Sequence, residues 1–160
     1  MQLTTQNKRK NPIPIFRKIL IPFDDSKLSE KAFWYAVNLD MNHKTEILIL
    51  SVFHSDQLPS SFLDYNAHQT VIEKEKLLNV KLKHNELKKV AEKYGIACNS
   101  YMTISSSISE SIISYIYSTR SDLVIMGTRG NRASTGRKLM LGSVSLEISQ
   151  HSPVPVMLVK

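Results

Sequence analysis

The chain has 160 residues, 42% of them hydrophobic, and a formal net charge of +7. That length suits one well-buried domain and is short for two. The single cysteine, Cys98, excludes an internal disulfide, the N-terminus lacks the apolar core of a signal peptide, and no segment approaches the roughly 20 apolar residues of a membrane-spanning helix, so a cytoplasmic protein with no membrane segment is expected.

The polar segment Met1–Lys18 carries Lys8, Arg9, Lys10, Arg17 and Lys18. Together with Arg129, Arg132, Arg137 and Lys138 in a later loop, these exceed the whole net charge and leave the remainder close to neutral. Residues 1–15 therefore read as a basic, disordered, solubilising tail, with an arm for nucleic acid or an anionic surface as the alternative. The run Lys18–Phe23 (KILIPF) has the continuous apolar character of a strand buried on both faces. Asp24-Asp25-Ser26 stops it, and Ser26 is placed to cap a helix to about Leu39 with Leu28, Ala32, Ala36 and Leu39 on one face. Glu46–Phe53 (EILILSVF) is a second strand, so the first three elements predict a right-handed βαβ unit.

From His54 to about Ala67 the composition predicts a loop or a frayed turn. A long helix follows, with Val71, Leu78, Leu82, Leu87, Val90, Ala91 and Tyr94 as its apolar positions, a solvated charged face that includes Lys76, and Gly95 as its stop. Ile96–Ile104 is a third strand, with Cys98 as a small buried residue. The serines before Ile108 cap a helix that carries Ile108, Ile112 and Ile116 in register. Asp122–Met126 is a fourth strand, Gly142–Ser149 a helix and Val154–Val159 a last strand, whose prolines suit a sheet edge. The fold class predicted is α/β: a single doubly wound domain with a five-stranded parallel sheet and helices on both faces.

The segment Met126–Ser145 (MGTRGNRASTGRKLMLGSVS) carries the chemistry. Gly127 and Gly130 permit φ > 0 and close approach of a ligand, while Gly142 and Ser143 place N–H groups at a helix start, with Ser143 as a possible cap. Four cations and no carboxylate between them suit a polyphosphate, although a basic surface turn has the same composition. In open parallel sheets ligands bind at the strand ends where the connections reverse, which sets Asp24, after the first strand, opposite Gly127, after the fourth. Asp24 alone could equally cap the following helix.

With RKILIPFDDS at Arg17–Ser26, ILILSVF, DLVIMGTRG at Asp122–Gly130, LGSVS at Leu141–Ser145 and the closing SPVPVMLVK, the chain resembles the universal stress protein family over Phe16–Lys160. The resemblance implies strand order 3-2-1-4-5, a homodimer joined through the last strand, here Val154–Val159, and, in one branch, bound ATP. That branch carries G-x2-G-x9-G-[ST], which maps onto Gly127, Gly130, Gly142 and Ser143, with eleven residues in place of nine between Gly130 and Gly142. Because the glycines at both ends remain, the longer Asn131–Leu141 loop is expected to bulge outward; the alternatives are that it misplaces the phosphate donors or folds over them as a lid. The resemblance implies that Asp24 and the backbone near Val52 hold adenine, that Pro22 and Phe23 line the base pocket, and that Met126 and Gly127 approach the ribose. It also implies that Gly130, Gly142, Ser143, Val144 and Ser145 meet the phosphates with help from Arg129.

The nucleotide expected is ATP or AMP, with Mg2+ or Mn2+ carried by the phosphates, since no His, Cys or carboxylate spacing suggests a protein-held metal. No hydrolase motif stands beside the glycines, so the expected output is a bound state read by an unknown signalling partner, with at most slow ATP hydrolysis or self-phosphorylation. A nucleotide-free dimeric interaction module of the same family is the alternative function.

Overall fold

Five parallel strands alternate with four helices: β1 (Lys18–Pro22), α1 (Lys27–Leu39), β2 (Glu46–His54), α2 (Ala67–Lys93), β3 (Ala97–Ser105), α3 (Ile108–Thr119), β4 (Leu123–Gly127), α4 (Ser143–His151) and β5 (Val156–Val159). The structure is a computed structural model that describes residues 16–39, 44–54, 67–129 and 141–160, with 67–74 described by backbone alone. The basic tail and the interior of the glycine-rich loop, Gly130 included, lie outside the described residues. The sheet order is β3-β2-β1-β4-β5, the doubly wound order expected, and no described helix is long and apolar enough to cross a membrane.

Alternation of apolar side chains through the central strands creates two cores. Ile19 and Ile21 of β1, Ile47 and Ile49 of β2 and Ile125 of β4 pack with Ala32, Phe33, Ala36 and Val37 of α1 and Leu87 and Ala91 of α2. The intervening Leu20, Leu48, Leu50, Val124 and Met126 face Ile112 and Ile116 of α3 and Ile148 of α4. Strands apolar at every position thus have a core to fill on each side. Register between β1 and β4 is reinforced by Asp122, whose two carboxylate oxygens accept the Arg17 and Lys18 amides at 2.9 and 3.0 Å.

Helix ends follow local chemistry. The Ser26 hydroxyl accepts the Ser29 amide at 3.1 Å and caps α1; the Ser107 hydroxyl accepts the Glu110 amide at 3.3 Å and caps α3. Gly95, at φ +70°, closes α2: its amide reaches the Glu92 carbonyl while the Ile96 amide reaches that of Ala91. Arg120 performs the same left-handed turn after α3 at φ 55°.

Several positions differ from expectation. The buried face of α1 is Ser29, Ala32, Phe33, Ala36 and Val37, while Leu39 at its end is exposed. In α2, Leu78 and Leu82 are exposed, as is Tyr94 just past its end, and the buried stripe is Val80, His84, Leu87 and Ala91. The histidine occupies a core position, so a stripe counted in aliphatic residues alone is rotated away from the real one. The last strand begins at Val156, two residues beyond the predicted start, because Pro155 has no N–H and contributes only its carbonyl, which accepts the Val124 amide. Cys98 is half-buried, with its thiol pushed up to about 12 by burial, so it stays protonated and unreactive at neutral pH.

Candidate functional site

Crossover α1 covers one face of the sheet and α3 the other, so the chain reverses its winding between β1 and β4, and a crevice opens at their carboxyl ends. A cavity of about 420 Å³ occupies this crevice. Pro22, Phe23, Asp24, Val52, Met126, Gly127, Arg129, Gly142, Ser143, Val144 and Ser145 all line it, whereas Gly130 lies outside the described residues. Residues more than a hundred positions apart thus share one wall because β1 and β4 are hydrogen-bonded neighbours.

At one end, β1 continues one residue past its last ladder position. The Phe23 amide donates to the Leu50 carbonyl at 2.8 Å and the Ser51 hydroxyl donates to the Phe23 carbonyl at 2.6 Å. Asp24 follows and stands exposed at the cavity; its Oδ1 accepts the Ser26 amide at 3.2 Å, so it shapes the turn while Ser26 does the capping. Asp25 sits before the helix in the left-handed region at φ 63°, outside the first turn where a carboxylate would favour the helix dipole.

At the other end, Gly127 and Gly142 serve unlike purposes. Gly127 does not take the positive φ expected of it; a Cβ there would lie 2.7 Å from Leu28 Cβ, so its missing side chain lets α1 approach the sheet. Gly142 is the N-cap of α4 at φ −65°, and a Cβ there would make only ordinary contacts, the nearest being the Thr128 carbonyl at 3.4 Å. Ser143 is therefore the first helical residue and not the cap, and no side-chain hydroxyl caps this helix. The first-turn amides of α4 need acceptors from outside the helix, and that turn carries no acid. Ser145, 3% exposed, donates its hydroxyl toward the Thr128 and Gly142 carbonyls at 2.8 and 2.9 Å and ties the end of β4 to the start of α4.

Other lining residues escaped sequence reasoning. Ser26, Ser29, Leu50, Ser51, Phe53, Val80, Ile108 and Ile112 complete the walls, and Lys76 of α2 joins them. Ser51 had a signal: it is the polar interruption in an otherwise apolar strand. Lys76 had one only in retrospect, lying one helical turn before Val80 on the His84–Leu87–Ala91 stripe. Among the described residues no group of three or more His, Cys, Asp or Glu side chains could hold a metal ion.

A doubly wound α/β domain with a cavity at its topological switch point, acidic at one lip and opening on a helix N-terminus at the other, belongs to the class that receives small ligands across strand ends. The profile of the universal stress protein family matches residues 15–160, and the chain belongs to that family. It is 30% identical to universal stress protein YxiE of Bacillus subtilis over 157 residues, covering 91% of this chain and 100% of that protein. Universal stress protein MJ0531 of Methanocaldococcus jannaschii is 27% identical over 152 residues, covering 94% and 86% respectively. Among solved structures, hypothetical protein MJ0577 superposes with a TM-score of 0.78 at 22% identity, covering 92% of this chain and 97% of that one. A universal stress protein in complex with cAMP (TM-score 0.62, 15% identity, 91% and 98% covered) and an Arabidopsis thaliana family member with AMP bound (0.61, 18%, 89% and 90%) share the fold.

Proposed function

We propose that the protein binds an adenine nucleotide, ATP or AMP, in the cavity between β1 and β4 and acts through the bound state. The observation that carries this is Gly142: the backbone there needs no glycine, yet a side chain would stand at the mouth of a helix N-terminus that lines the cavity. Asp24 and the β2 backbone near Val52 take the base, and Met126 and Gly127 border the ribose. Gly130, the amides of Ser143, Val144 and Ser145, and Arg129 take the phosphates. Ser145 contributes mainly its amide, since its hydroxyl donates to backbone carbonyls. Lys76 adds a second cation on the α2 wall. The known relatives with cAMP and AMP support the nucleotide class. Mg2+ or Mn2+, if carried in, would be held by phosphate oxygens and water.

Protein purified without added nucleotide, then denatured, is expected to release adenine nucleotide into the supernatant, and stripped protein is expected to bind ATP or AMP calorimetrically. A clean supernatant together with no heat on titration would sink this reading.

We also propose a homodimer joined along β5. This strand is an outer edge of the sheet, and an edge strand presents unpaired backbone groups that a second copy can satisfy. Light scattering is expected to return twice the chain mass of 18.2 kDa; a monomer at micromolar concentration would contradict it.

A further inference from the structure

Behind the base end of the cavity lies a polar chain that the nucleotide reading does not use. His84 of α2 is 2% exposed and does not line the cavity. Its Nε2 is 2.9 Å from Ser51 Oγ, and that hydroxyl sends its hydrogen to the Phe23 carbonyl at 2.6 Å. A serine hydroxyl has one hydrogen, so Ser51 accepts from His84, and the imidazole is the tautomer protonated on Nε2. The ring also meets the Phe23 ring edge-on at a centroid distance of 5.6 Å. Phe23 is thereby held three ways: its amide by Leu50, its carbonyl by Ser51 and its ring by His84. The next residue is Asp24, which lines the cavity and whose carboxylate accepts the Ser26 amide.

We infer that His84 is a positioning residue for the base end of the cavity: through Ser51 and the Phe23 ring it fixes the turn that presents Asp24, and so sets preference for one purine over another without touching the ligand. The inference rests on the nucleotide reading above. A buried imidazole N–H needs an acceptor in a core-filling role as well, so what points to positioning is that both of its contacts, the Ser51 hydroxyl and the Phe23 ring, bear on the residue before Asp24. A rigid acceptor at Asp24 discriminates exocyclic amino from carbonyl groups only if its placement is held to within hydrogen-bond tolerance. An exposed turn residue gains that rigidity from buried partners.

Three variants separate these roles. His84→Leu keeps apolar volume and loses the donor; His84→Gln retains an N–H near the Nε2 position; Ser51→Ala removes the middle link should His84→Leu fail to fold. In ligand-free protein, amide exchange at Phe23 and Ser26 is expected to accelerate about tenfold in His84→Leu relative to the Ser121 amide, which bonds Ile116 beside the opposite core. His84→Gln is expected to restore it. In parallel, the ratio of ATP to GTP affinity is expected to fall about tenfold in His84→Leu and to recover in His84→Gln, while affinity for inorganic triphosphate stays unchanged. Equal acceleration at all three amides with an unchanged ATP to GTP ratio would overturn the positioning role and leave a core histidine. Wild-type protein that binds neither nucleotide would overturn the nucleotide reading itself, whatever the exchange data show.

Discussion

Gly127→Ala is expected to lower unfolding stability by about 1–3 kcal/mol, whereas Gly142→Ala should leave it within about 0.5 kcal/mol and weaken nucleotide binding instead. At position 127 the added carbon would stand 2.7 Å from Leu28 Cβ and 3.3 Å from the Leu28 carbonyl carbon, so the backbone at the start of α1 must move. That displacement reaches the Asp24 turn as well, and binding should decline with stability. At position 142 the nearest atoms to a Cβ are at 3.4 and 3.6 Å, and φ is −65°, which alanine adopts freely. Alanine is a poorer N-cap than glycine, but it also restricts the unfolded chain, and the two effects roughly cancel. What remains is a methyl group where a phosphate must approach the backbone. A loss of about tenfold or more in ATP affinity follows if that approach is displaced. Urea unfolding of the apo proteins and thermal shifts with added ATP read the two effects separately. Full ATP-induced stabilisation retained by Gly142→Ala would show that phosphate does not sit there.

The contrast between these glycines marks where sequence reading succeeds and where it stops. Continuous apolar runs such as KILIP and LVIM made strands legible because they have few alternatives in a chain that also alternates helical periods, whereas β3, ACNSYMTIS, carried a weaker signal. The strand order followed from the family resemblance, and the preference for right-handed crossovers spoke only to the first βαβ unit. Eleven of the twelve anticipated site residues line one cavity for the same reason: strand ends are brought together by topology, and topology was readable. The purpose of each glycine was not readable, since spacing does not reveal which neighbour fills the missing side chain's place. Nor was the face of α2, where charged residues surround the apolar ones and His84 holds a buried position that hydrophobic counting assigns to solvent. Lys76 is exposed, as a residue of the charged face should be, and only its place beside the cavity was not readable.

Acidification is expected to destabilise the protein through His84. Burial lowers its pKa from 6.5 to about 4, so between those values the unfolded chain takes up a proton that the folded protein excludes. Stability must then rise with pH through this window: the group carries no penalty above pH 6.5, loses ground as pH falls, and levels off below about pH 4. Integrated over the window the loss is about 3 kcal/mol, a large share of the stability of a domain this size. Carboxylates titrate in the same range, so the wild-type curve alone does not isolate the histidine. His84→Gln does, because glutamine offers Ser51 an N–H and never titrates. Urea unfolding at pH 7 and at pH 4 should show the wild type losing about 3 kcal/mol more than His84→Gln. Parallel losses in the two proteins would mean that the imidazole accepts its proton in place, with water or a rearranged α2 reaching it. The hydrogen bond from Nε2 to Ser51 could survive that protonation. What the folded state resists is an uncompensated charge on a ring that is 2% exposed and packed edge-on against Phe23.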